Sequence, residues 1–93
     1  MVQLVSFPGC PNVENARRAL HAAFSVLGRE SQFQEVDTSN PNTPEELRSW
    51  GSPTILVDGV DVDGGTPAGR TCRLYAGGAP RVEAIVALLR ESP

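Results

Sequence analysis

The sequence predicts a single α/β domain over residues 1–93: a four-stranded mixed sheet with helices on both faces, in the order β-α-β-α-β-β-α. Three observations carry this prediction. A near-continuous apolar run over residues 2–7 reads as a strand buried on both faces. From Pro11 to Leu27 the apolar residues recur at helical spacing. Asp58-Gly59, set between two β-branched stretches, is a strong two-residue hairpin signal.

The first strand is apolar at Val2, Leu4, Val5 and Phe7, and Pro8-Gly9-Cys10-Pro11 leads from it into the first helix. Pro11 suits the first helical position, where no amide hydrogen is needed. Val13, Ala16, Leu20, Ala23, Phe24 and Leu27 form the apolar stripe of that helix, and Gly28 is its natural stop. A second strand takes in Phe33, Glu35 and Val36 and ends near Asp37. A helical crossover between these two strands implies that they run parallel. After the turn cluster 38–42, Thr43 is expected to cap a short helix with Glu46 as its capping-box partner, and the helix ends near Trp50-Gly51. Thr54 to Val57 forms the third strand, with Val60-Asp61-Val62 returning. Residues 63–79 are glycine-rich and read as loop; within them Cys72-Arg73-Leu74-Tyr75 is a short strand or a helical turn. Pro80 opens the last helix, apolar at Val82, Ile85, Val86 and Leu89.

Composition narrows the function. A chain of 93 residues is too short for two cores. The net charge is −3 and the eight cationic residues, all Arg, are scattered, which argues against nucleic acid as a partner. No run approaches the roughly twenty apolar residues of a membrane span, and no basic segment precedes an apolar one at the amino terminus. Two cysteines are too few for a secreted disulfide framework, so a cytoplasmic location is expected, where a cysteine pair is reactive rather than structural.

Cys10 is the leading candidate for chemistry, its other reading being a buried, inert cysteine on a core turn. A cysteine between a strand and a helix faces the unpaired amides of the helix's first turn, which favour thiolate over thiol. That effect is worth roughly 0.3–1 kcal/mol, and up to about 2 when partly buried. Cys72 has two readings. In one it resolves an adduct on Cys10, with Arg70 and Arg73 favouring its thiolate; in the other it is a small buried hydrophobe beneath Leu74. His21 sits mid-helix, away from the Cys10 end. Asp58, Asp61 and Asp63 are turn aspartates, from which neither a metal site nor a cofactor is expected.

The stretches Phe7-Pro8-Gly9-Cys10-Pro11 and Gly51-Ser52-Pro53-Thr54, with the hairpin Val57-Asp58-Gly59 and Gly64-Gly65 beyond it, resemble the thioredoxin superfamily over nearly the whole chain. Cys72-Arg73-Leu74-Tyr75 is similar to a short branch of it that has selenocysteine-containing and alkylmercury-lyase-like members. The resemblance implies a cis Ser52–Pro53 bond lying against the Cys10 thiol. It also implies thiol-disulfide oxidoreductase-like activity, with substrate bound by Pro11, Ser52, Pro53 and Arg73 and the Ser52 backbone pairing with an extended thiol peptide. Two departures stand out. Val13 occupies the second position of the Cys-x-x-Cys motif, so the usual resolving step is lost there. Thr66-Pro67 replaces the acidic pair that follows Gly-Gly in glutaredoxins.

Three functions follow. In the first, Cys10 attacks a disulfide or peroxide and Cys72 resolves the adduct; the partners are a protein or small-molecule thiol/disulfide substrate and a separate reductant, with the protein a monomer or weak dimer. The second is soft-metal or organomercurial binding or cleavage by two thiolates, with Asp58 or Asp61 as acid. The third is a non-catalytic binding module on the same scaffold.

Overall fold

Strand β1 (Val2–Ser6) is the hub of the sheet, because its residues alternate between two separate cores. The computed structural model describes residues 1–67, 69 and 71–91. Along the chain follow α1 (Val13–Val26), β2 (Gln34–Asp37), α2 (Glu45–Arg48), β3 (Thr54–Val57), β4 (Val60–Asp61) and α3 (Val82–Glu91). The sheet order is β2-β1-β3-β4. β1 runs parallel to β2, with Val5 opposite Val36, and antiparallel to β3, with Leu4 opposite Ile55.

The two-residue side-chain period of a strand decides which core each residue enters. Leu4, Ile55 and Val57 face α1 and α3, where Ala16, Leu20, Ala23, Phe24, Ile85 and Leu89 complete the larger core. Val5 and Leu56 point the other way and pack with Val36, Trp50 and Leu47 near α2. Helices therefore cover both faces, and the continuous apolar runs of β1 and β3 follow from burial on both sides.

Local signals account for the ends of the elements. At the carboxyl end of α1 the Gly28 amide donates to Ser25 and the Arg29 amide to Phe24, both at 3.0 Å, with Gly28 at φ 64°. This is the double-bonded glycine stop that satisfies the last carbonyls. Asp58 and Gly59 take φ of 50° and 81°, the mirror-image turn that matches strand twist in a two-residue hairpin.

Three helix starts differ from expectation, the last being that of α3, which opens at Val82 and leaves Pro80 ahead of it. Helix α1 begins at Val13 with Asn12 as its cap residue, so Pro11 stays in the preceding turn. The Asn12 carbonyl accepts the first bond, from the Ala16 amide at 3.2 Å; proline is tolerated at a first helical position but does not enforce one. Thr43 does not cap α2, whose cap residue is Pro44. The Thr43 hydroxyl instead donates to the Asp37 carbonyl at 2.7 Å, tying the turn to the end of β2.

Candidate functional site

Pro8 and Gly9 form the turn that delivers Cys10 to the end of the sheet. Gly9 sits at φ 84°, a conformation that favours glycine, and the Cys10 amide closes the turn on the Phe7 carbonyl at 3.4 Å. The side chain of Cys10 is nearly covered, with 9 % of its surface exposed. Its sulfur donates to the Ser52 carbonyl at 3.6 Å. The Ser52–Pro53 bond is cis, as the resemblance implied, and Pro53 is buried beside the thiol's acceptor.

Ser52 is the centre of the arrangement, and every polar group it owns is engaged. Its amide donates to the Thr71 carbonyl at 2.8 Å, and its carbonyl accepts from the Arg73 amide at 2.7 Å. With the Cys10 contact, both lone pairs of that carbonyl are in use. The Ser52 hydroxyl accepts from the Phe7 amide at 3.3 Å. Residues 71–73 thus run parallel to the lead-in of β3, with Cys72 opposite Ser52, and Gly69 donates to the Ser49 carbonyl at 2.8 Å just before them. The backbone edge at Ser52, expected to receive an extended substrate, is filled by the protein's own chain. The stretch from Cys72 to Tyr75 is neither a full strand nor a helical turn: only Cys72 makes a bridge, and a short 3-10 turn follows at Ala76–Gly78.

Cys72 is exposed, and Leu74 beside it is 88 % exposed, which excludes the reading of a buried hydrophobe beneath Leu74. Both cysteines are free thiols, not at disulfide distance, yet near enough to sense each other. Desolvation first, then the charge of Cys10 and a side-chain interaction with it, push the Cys72 thiol up from its ordinary range. Arg70 lies outside the described residues.

Arg73 enters a polar cluster. Its guanidinium meets Asp61 at 3.0 Å and Asp63 at 3.7 Å, donates to the Thr54 hydroxyl at 3.0 Å, and lies 4.8 Å from the centre of the Tyr75 ring. The Asp61 side chain is fully buried and also accepts from the amides of Asp63 at 3.2 Å and Gly65 at 2.9 Å. The Tyr75 hydroxyl donates to the Pro53 carbonyl at 2.7 Å, and burial pushes its ionisation up to about 12. Gly51 and Gly65 make room for Arg73: a Cβ on Gly51 would stand 2.7 Å from its Cγ, and one on Gly65 3.2 Å from its terminal nitrogen. Arg73 therefore fastens the Cys72 segment, and its charge is committed to two carboxylates.

The three turn aspartates do not converge on a common centre. Asp58 pairs with the Met1 amino group, whereas Asp61 and Asp63 turn to Arg73. Among the described residues no group of three or more His, Cys, Asp and Glu side chains is arranged to hold a metal. His21 bonds Ser31 at 2.8 Å and meets the Phe33 ring edge-on, remote from the thiols.

On its other flank Cys10 borders a cleft of about 300 Å³ between the start of α1 and β2. Phe7, Pro8, Val13, Arg17, Glu35 and Asp37 are among its walls. Arg17 reaches across to Glu35 at 2.6 Å and also pairs with Glu14. The bond from Arg17 holds the Glu35 carboxyl below its usual range, and the Ser39 hydroxyl and amide do the same for Asp37. Sequence reasoning missed these charged walls, the roles of Thr54 and Tyr75, and the burial of Asp61 against Arg73, having read Asp61 as a turn aspartate or an acid. For Arg17 a signal existed: Glu14 lies one helical turn earlier on the same face of α1.

Fold and site together define an α/β domain with two free thiols grouped around a cis X-Pro bond. No protein-family model, no curated protein and no solved structure matches the chain.

Proposed function

We propose that this is a thioredoxin-like thiol-disulfide oxidoreductase in which Cys10 is the nucleophile and Cys72 the resolving thiol. The observation that carries the proposal is the double use of Ser52: Cys10 bonds its carbonyl while Cys72 lies opposite it in the bridge. Cys10 meets Ser52 through its thiol, and Cys72 is held beside it by the backbone bonds of Thr71 and Arg73. The strand order β2-β1-β3-β4, the helices on both faces and the cis bond before Pro53 suit the same reading. Val13, packed at the start of α1, leaves no sulfur in the usual resolving position.

The chemistry runs in two exchanges. The Cys10 thiolate attacks one sulfur of a disulfide RSSR, forms a mixed disulfide, and releases RS⁻, which takes up a proton. Ionised Cys10 would lose its bond to the Ser52 carbonyl. The Cys72 thiolate then attacks the Cys10 sulfur, closes an intramolecular disulfide and releases the second RSH. In sum the protein dithiol is oxidised by two electrons and RSSR is reduced to two RSH; an external dithiol restores the starting state. Adduct formation on Cys10 removes the neighbouring charge that raises Cys72, so the second thiol ionises more readily once it is needed.

Trapping tests this directly. Cys72→Ser, incubated with 2-hydroxyethyl disulfide, should accumulate a stable mixed disulfide on Cys10, detectable by peptide mass spectrometry. An unmodified Cys10 in folded protein would refute the nucleophile.

A further inference from the structure

We infer that the substrate of Cys10 is a small, neutral or cationic disulfide that enters through the cleft beside β2, and not an extended polypeptide laid along Ser52. The inference rests on the thiol-exchange reading above and specifies its substrate class.

The first observation concerns the edge a polypeptide would need. The backbone edge of Ser52 is taken: its amide and carbonyl are both bonded within the protein, and its hydroxyl accepts from the Phe7 amide. The segment holding that edge is not a loose flap. Arg73 anchors it to Asp61, Asp63 and Thr54, and Tyr75 anchors it to Pro53. Lifting it would leave the fully buried Asp61 carboxylate without its cation. Removing Cys72 from Ser52 would also carry off the resolving thiol.

The second observation is the cleft itself. At about 300 Å³ it lies at the small end of ligand pockets, with room for one half of a compact disulfide against Phe7 and Val13. Its charge is lopsided. Arg17 is the one cation among the named walls, and it is already paired with Glu14 and Glu35. Asp37 adds a further carboxylate, held by Ser39 rather than by a cation. Both wall carboxylates are negative at neutral pH, since each is held below its ordinary range. A doubly anionic disulfide is repelled there and a cationic one attracted.

The test compares pre-reduced wild-type protein with cystamine, 2-hydroxyethyl disulfide, dithiodiglycolate and an unstructured peptide disulfide. Each rate is divided by that of N-acetylcysteine with the same reagent, which removes intrinsic reactivity. At ~8 Å in a water-like medium each unit of charge changes the rate roughly twofold, so cystamine should outpace dithiodiglycolate by about fivefold or more. That ratio should collapse in 1 M salt, where screening acts within about 3 Å. It should also collapse in the double variant Glu35→Gln, Asp37→Asn. The peptide disulfide should react at least tenfold more slowly than cystamine. Equal rates for the two charged reagents, or a peptide as fast as cystamine, would overturn the substrate assignment while leaving Cys10 a nucleophile. Failure of all four to modify Cys10 would overturn the thiol-exchange reading itself, a different and separately visible result. The salt series needs only wild-type protein, so it decides the charge claim even if the double variant does not fold.

Discussion

Replacing Arg73 with methionine removes the anchor of the Cys72 segment while keeping most of its apolar stem. The Asp61 carboxylate, fully buried and 3.0 Å from the guanidinium, then has no cation. Stranding a buried charge costs about 3–5 kcal/mol. Two backbone donors, Asp63 and Gly65, still bond Asp61 and place the expectation at the low end, about 3 kcal/mol. For a domain of this size each kcal/mol lowers the melting temperature by roughly 4–8 °C, so Arg73→Met should melt about 15 °C below wild type. Adding Asp61→Asn removes the stranded charge and keeps an acceptor oxygen for one of the two amides, which bond separate oxygens of Asp61, and should restore part of the loss. Urea titration and calorimetry measure both. Alkylation of Cys72 by iodoacetamide should also quicken in Arg73→Met, because its segment is no longer fastened. A loss below 1 kcal/mol, or a double variant no better than the single, would refute the role assigned to the Asp61–Arg73 pair.

Other consequences follow from the same geometry. Tyr75 is the one tyrosine of the chain, so absorbance near 295 nm isolates its titration, which should centre near pH 12. Its folded ionisation lies above the unfolded value of about 10, so the folded state holds the proton more tightly. Its contribution to stability is complete below pH 10 and is lost as pH rises from 10 to 12; a midpoint at pH 10 in folded protein would contradict the burial. Gly51→Ala drives a methyl to within 3.0 Å of the Thr71 carbonyl as well as against Arg73. It should cost about 1–3 kcal/mol in urea titration, and a neutral effect would show that the 71–73 segment is not closely packed. In Cys10→Ser the alkylation midpoint of Cys72 should move to lower pH, since two of the causes that raise it are gone. An unmoved midpoint would mean that the two sulfurs do not interact.

Much of the architecture is written in short-range patterns. The apolar runs of β1 and β3 encode burial on both faces, and Asp58-Gly59 encodes its turn through the two positive φ values it accepts. Gly28 stops α1 for the same local reason. What escaped the reading is long-range. Nothing in the glycine-rich stretch from 63 to 79 alternates, so the pairing of residues 71–73 with Ser52, twenty residues earlier, has no periodic signal. Asp61 resembled its neighbours in a turn rich in aspartate, and only the placement of Arg73 distinguishes it as buried. Thr43 carried a capping signature, yet the carbonyl at the end of β2 competes for its hydroxyl and wins. For the site, Cys10 and Pro53 were legible because each follows or precedes a strand in a motif. The charged cleft was not, because its walls come from α1 and β2, separated by some eighteen residues at Arg17 and Glu35.

The intact mass of the reduced wild-type protein after one equivalent of 2-hydroxyethyl disulfide tests the central claim most directly. Loss of two hydrogens, two equivalents of released thiol, and a proteolytic fragment joining Cys10 to Cys72 are expected. A lasting adduct on Cys10 with Cys72 still free, or two untouched thiols, would contradict that claim.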